Sequence, residues 1–161
     1  MPAKKHADKK GGDGLSLIAE NRRARFDYEI SDTLECGIEL KGSEVKSLRN
    51  KAVSFANAFA VINRGDLMLM GLKIDRYKQS TIDVLAPDRP RRLLANVREV
   101  DKLDRLVREK GYSLVPLKLY FKGAWAKVLI GLGKGKTHED KRETIRKREA
   151  DREVARAIQR R

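Results

Sequence analysis

The run "GLGKGKTHEDKRE" at residues 131–143 gathers glycines, lysines and a threonine, the residue types of a phosphate-binding loop. A loop of the form GxxxxGK[ST] wraps a nucleotide phosphate with successive backbone N–H groups, so its spacing is strict. Here "GKT" at 135–137 would need glycine at the position held by Ile130, and Gly131 leaves three intervening residues instead of four. The preceding segment also reads as one arm of an antiparallel hairpin, whereas such a loop opens a parallel strand-helix unit. Other chemistries find no support. His6 and His138 stand in opposite charged tails, with no Ser-His-Asp arrangement and no HxxxH spacing. Cys36 is the single cysteine and has no histidine close to it in sequence, so it offers neither an internal disulfide nor a zinc site. The sequence predicts no catalysis, no cofactor and no metal.

Binding chemistry remains. In "LVPLKLYFKGAWAKVLI", Lys118, Lys122 and Lys127 interleave with Tyr120 and Trp125. Lysines meet phosphates and aromatic faces stack on unpaired bases, a combination suited to RNA. An ordinary solvated sheet face has the same composition. A second basic cluster, "DRPRRLL" at 88–94, contains Arg92 and is expected on a loop before a helix. The 161 residues carry 37 Lys and Arg against 23 Asp and Glu, a net charge of +14, which implies a polyanionic partner, nucleic acid before membrane. No apolar run approaches the roughly 18 residues of a membrane span, and the cysteine usage fits a reducing compartment, so the expectation is a cytoplasmic protein without a membrane partner.

The elements that must position these residues follow from periodicity. Residues 1–14 hold four lysines, two aspartates and no large apolar side chain beyond Met1, and read as a flexible basic arm. Residues 15–133 form the folded unit. The "LVPLKLYF" segment places Val115, Leu117, Leu119 and Phe121 on one face, turns at "KGA" and returns as "WAKVLI". "AFAVINRGDLMLMGLKI" makes a second hairpin around Gly65, and a further strand pair is expected at "RFDYEI" and "ECGIEL". "NVREVDKLDRLVREKG" predicts a helix capped by Asn96 and stopped by Gly111, and "SEVKSLRNK" a shorter one. The expected class is mainly β with α: a small antiparallel barrel of the oligonucleotide-binding type, with two or three flanking helices. Residues 134–161 contain eleven cations against six acids and form a basic tail. Its acid-before-base pairs, such as Glu139 with Arg142 and Glu153 with Arg156, contribute only about 0.2–0.5 kcal/mol each. The tail is therefore expected to be disordered alone and helical when bound.

Five blocks, "IAENRRARFDYEI", "ECGIELKGSEVKSLR", "RPRRLLANVRE", "KGYSLVPLKLYFKGAWAKVLIGLGKGK" and "DKRE", together resemble the SsrA-binding protein family, also called small protein B. The resemblance implies a barrel that binds the tRNA-like domain of transfer-messenger RNA (tmRNA, or SsrA RNA). It further implies delivery, with the elongation factor for aminoacyl-tRNA, to ribosomes stalled on messages without a stop codon. The tail would then lie in the vacant mRNA path near the decoding centre, contacting ribosomal RNA as a helix. By the same resemblance Glu35, Leu94, Asn96 and Lys127 contact RNA, with Asn21, Arg22 and Lys46 in matching blocks. Asn96 is equally explained as a helix cap and Leu94 as core. Lys134 and Lys136 begin the run of cations, and Gly131, Gly135, His138, Asp140, Lys141 and Arg142 fall in the ribosome-facing part. Residues 131–135 are expected to end the last strand and give a hinge.

The chain departs from the family at Asn57 and Phe59, where aspartate and tyrosine are usual, and at Gly133, where alanine is usual. An aromatic residue or histidine commonly stands where this chain has Glu139, with His138 one position earlier.

Overall fold

Period-two hydrophobicity builds most of this chain into strands. The computed structural model describes residues 14–79 and 85–160, so the basic arm lies outside the described residues up to position 13. The order is β1 (Leu15–Glu20), α1 (Arg22–Asp27), β2 (Tyr28–Ile38), α2 (Gly42–Arg49), β3 (Val53–Ser54), β4 (Phe59–Asn63), β5 (Asp66–Met70), β6 (Lys73–Ile74), β7 (Arg91–Leu94), α3 (Val97–Lys110), β8 (Ser113–Lys122), β9 (Trp125–Gly135) and α4 (His138–Gln159). All pairings are antiparallel. They close a ring in the order β8, β4, β5, β7, β2, β9 and back to β8, with β1 added along the free part of β8. Closure removes most sheet edges, and it makes this the antiparallel barrel expected from the many short strands.

Local signals explain several elements. β4 and β5 are joined by Arg64 (φ 50°) and Gly65 (φ 81°), the two left-handed residues of a type I′ hairpin turn. Asn96 Oδ1 accepts the N–H of Arg98 at 3.0 Å to start α3, and left-handed Gly111 ends it. Inside the ring, Leu48, Leu69, Leu72, Leu119 and Val128 reach zero exposure. Each such side chain contributes about 1.5–3 kcal/mol by leaving water. Cys36 lies in the same cluster, fully buried, and burial pushes its thiol up to about 12.

Five expectations change. "RFDYEI" and "ECGIEL" are not a strand pair: residues 22–27 form α1, and the rest is one long strand, β2, paired with β9 from Tyr28 to Gly37. A bulge where Ile30 and Asp32 face consecutive partners keeps it continuous through the polar "SDT". The second basic cluster is not a loop, because residues 91–94 form β7 inside the ring. The single apolar face expected for β8 is split by a bulge between Pro116 and Lys118. Val115 and Leu117 pack with Ala24 of α1 in a second cluster, while Leu114 and Leu119 enter the main core. An extra residue reverses the alternation, so one strand serves both.

The fourth change concerns the expected hinge. Gly131 and Gly133 are buried within β9, and an added Cβ at Gly133 would stand 2.7 Å from the Glu29 carbonyl oxygen. Glycine here permits close approach of β2, and the strand pairing on both sides removes the freedom a hinge requires.

Where disorder of the free tail was expected, residues 138–159 are helical in the chain alone, with Thr137 as N-cap and Asp140 closing a capping box. No side chain of α4 is buried, consistent with a helix that gains little from packing within the chain.

Candidate nucleic-acid interface

The outer face of the barrel carries a row of residues in direct cross-strand register. Leu94 of β7 faces Gly37 of β2, Gly37 faces Lys127 of β9, Lys127 faces Tyr120 of β8, and Tyr120 faces Leu17 of β1. Gly37 has a specific part in this. A Cβ added to it would come within 3.3 Å of Leu94 Cβ, so its bare backbone leaves space for the leucine, which stays 52% exposed. An apolar side chain held open beside a lysine and a tyrosine is a surface for stacking and for phosphate together.

Glu35 stands two residues before Gly37 on the same face. Its Oε2 accepts the Tyr120 hydroxyl, and its Oε1 lies 3.5 Å from Lys122 Nζ. The Tyr120 hydrogen bond is the main reason the carboxyl is held below its usual range; burial opposes it, and Lys122 and Lys127 add to the lowering. Burial, and then the Glu35 carboxylate, push the Tyr120 phenol up. Lys118 is opposite Glu20, and Trp125 is opposite Lys122 at the hairpin end, 75% exposed. Arg92 is exposed on β7 and pairs with Asp66 at 3.2 Å.

Of the residues singled out from sequence, the structure brings Glu35, Arg92, Leu94, Lys118, Lys122 and Lys127 onto this sheet face. Asn96 follows at the end of β7 and caps α3, so its exposed side chain already has a partner in Arg98 N–H. Asn21 is also a cap: Oδ1 accepts Ala24 N–H at 3.3 Å and Nδ2 donates to the Pro116 carbonyl at 3.0 Å. Arg22 is exposed at the start of α1. Lys46 is on α2, with Nζ 5.4 Å from the Tyr77 ring centre, away from the row.

The remaining positions lie toward the tail. Lys134 is over the Tyr112 ring at 4.9 Å, and Lys136 Nζ donates to Thr144 Oγ1 at 3.2 Å. Asp140 accepts the Thr137 N–H and hydroxyl, and Lys141 Nζ is 3.4 Å from Asp27. Lys141 and Arg148 both lie over the Phe26 ring, at 5.9 and 5.6 Å. Gly135 ends β9, while His138 and Arg142 are exposed in the first turns of α4.

Two features escaped the sequence reading. Gly37 was visible only as a glycine inside a strand, which signals close approach but not of what. The other is an ion network beneath β7. Arg91, with a side chain fully buried, donates Nε to Glu44 Oε2 at 2.6 Å, Nη1 to the Leu72 carbonyl at 2.6 Å and Nη2 to the Pro87 carbonyl at 2.9 Å. Arg89 joins through Nε at 3.1 Å and Nη2, and Glu44 also accepts the Lys41 N–H at 3.0 Å. Burial would raise the Glu44 carboxyl, but the hydrogen bonds from Arg89, Lys41 and Arg91 outweigh it and hold it low. This network fixes β7, and with it Arg92 and Leu94. Among the described residues there is no cluster of three or more metal-ligating side chains, and no helix is long and apolar enough to cross a membrane.

The model of the family described as "SmpB protein" matches residues 18–160. An "SsrA-binding protein" of Thermobifida fusca is 49% identical over 161 residues, covering 100% of this chain and 99% of that protein. One from Synechocystis is 48% identical over 147 residues (91% and 96%), and one from Anaeromyxobacter 47% identical over 152 residues (94% and 92%). A solved chain described under "tmRNA-SmpB: a journey to the center of the bacterial ribosome" is 47% identical, with a TM-score of 0.63, covering 80% of this chain and 94% of that one.

Proposed function

The chain belongs to the SmpB protein family, and from that premise we propose that it binds the tRNA-like domain of tmRNA and acts with it in trans-translation, the rescue of stalled ribosomes. The observation that carries this reading is the in-register row from Leu94 through Gly37, Lys127 and Tyr120, presented on the face of a closed barrel. Lysines at 118, 122 and 127 supply counter-charge to phosphate. Trp125 and Leu94 supply flat or apolar surface to unpaired bases and riboses. The protein acts as a cytoplasmic binding factor, not an enzyme, and meets the elongation factor through the RNA.

The tail has a separate part. Its cations, from Lys134 and Lys136 through Lys141 and Arg142, are proposed to follow the vacant mRNA path of the ribosome, where rRNA phosphates stabilise a helix that buries no side chain within the chain. Residues 15–133 then recognise tmRNA and residues 134–161 the ribosome.

A filter-binding competition tests the reading. Labelled tRNA-like-domain RNA is challenged with itself and with unstructured RNA of equal length. The structured RNA is expected to compete far better, and log affinity to fall with log salt by up to about 0.9 per neutralised phosphate. Equal competition would reduce the function to general RNA binding.

A further inference from the structure

A carboxylate in the middle of a cationic RNA surface needs explanation, since it repels phosphate. Glu35 is exposed, and an exposed ion pair with Lys122 contributes little to stability. Its other contact is more informative. Glu35 is on β2 and Tyr120 on β8, with β9 between them. Their hydrogen bond therefore reaches over the whole width of β9, about 10 Å of sheet at the usual strand spacing. Two long side chains meet above Lys127 and Leu129, which face Tyr120 and Glu35 respectively. The hydroxyl donates to one carboxylate oxygen and Lys122 approaches the other, so the group is oriented while lone pairs remain free.

We infer that Tyr120 is a positioning residue: its hydroxyl fixes the Glu35 carboxylate so that it meets a hydrogen-bond donor of the RNA, a base amino or imino group or a ribose 2′-hydroxyl, rather than a phosphate. The inference rests on the RNA-binding reading above. A carboxylate can only accept, and a site built around a fixed acceptor discriminates against RNA that offers no donor there. Tyr120 thus supports selectivity, while Lys118, Lys122 and Lys127 supply affinity that any RNA can use.

The test is a double-mutant cycle with Tyr120→Phe, which keeps the ring, and Glu35→Gln, each measured against tRNA-like-domain RNA and unstructured RNA of equal length. Tyr120→Phe should lose roughly tenfold for the structured RNA, as expected for one hydrogen bond to a charged group. It should lose nothing for the unstructured RNA, keep the salt slope, and add no further loss in the Glu35→Gln background. The Glu35 side-chain carboxyl resonance of the free protein should titrate at higher pH in Tyr120→Phe. The charges facing Glu35, Lys122 of β8 and Lys127 of β9, are unchanged in that variant, as is Arg92 of β7 with its partner Asp66. Additive losses would mean that Tyr120 touches the RNA itself, and would overturn the inference. So would an unchanged affinity or an unmoved titration. A wild-type protein without preference for the structured RNA would overturn the functional reading instead, before the cycle is run.

Discussion

Replacing Glu44 by glutamine keeps the volume of the side chain and removes its charge, leaving two guanidinium groups around it. Arg89 is 24% exposed and can turn to water, but the Arg91 side chain is fully enclosed. Arg91 keeps its carbonyl partners at Leu72, Arg89 and Pro87, so the cost comes from an uncompensated buried charge and a weakened Nε contact. Breaking a buried pair by removing one partner costs about 3–5 kcal/mol, and the retained carbonyls place this case near 3. That is a large share of the roughly 5–15 kcal/mol available to a domain, and should lower the Tm by about 10 °C. Far-UV circular dichroism in urea is the suitable assay, because Trp125 is too exposed for its fluorescence to report burial. The Glu44 carboxyl is held below 4.5, so its contribution is complete above that pH and is lost as pH falls through the lowered folded value. Wild type should lose stability in acid by this route and Glu44→Gln should not. Replacing both Glu44 and Arg91 by leucine and methionine should recover part of the loss. A Glu44→Gln variant within 1 kcal/mol of wild type, by the scale just given, with an unchanged acid profile, would refute the reasoning.

Gly71 has φ +69°, and an added Cβ would stand 2.1 Å from the Asn57 carbonyl oxygen. Gly71→Ala should cost about 3 kcal/mol or more in a denaturant melt. Asn96→Ala should cost about 1 kcal/mol through the lost cap, whereas Asn96→Ser keeps the cap. A loss of RNA affinity in the serine variant therefore reports direct contact, and unchanged binding assigns Asn96 to α3 alone. Truncation after Gly135 should leave tmRNA affinity nearly intact and abolish tagging in a reconstituted translation assay; tagging by the truncated protein would refute the division between barrel and tail.

The parts of the fold that could be read directly are those set by neighbours in sequence. Gly65 at a two-residue turn, Asn96 and Gly111 at the ends of α3, and the lysine alternation along β8 each act within a few positions. What could not be read depends on partners far away. The "DRPRRLL" cluster looks like a basic loop until Arg91 finds Glu44, 47 positions earlier, and its charge disappears inside. β2 looks like two strands because its polar middle hides a bulge that only its register with β9 reveals. The lysines of the outer sheet face were legible as composition. Their grouping with Glu35, Gly37 and Leu94 was not, because it is made by register across four strands.

Cys36 is enclosed between Glu35 and Gly37, on the opposite face of the strand that carries both. With its thiol pushed up to about 12 and no exposure, it reacts with an alkylating reagent only when β2 opens. The rate of labelling is thus a clock for breathing of the barrel wall directly beneath the proposed RNA surface. No probe need be introduced, since this is the protein's single cysteine. Ligands that grip the outer face should slow the clock, while those that engage only the tail should leave it running at its original pace.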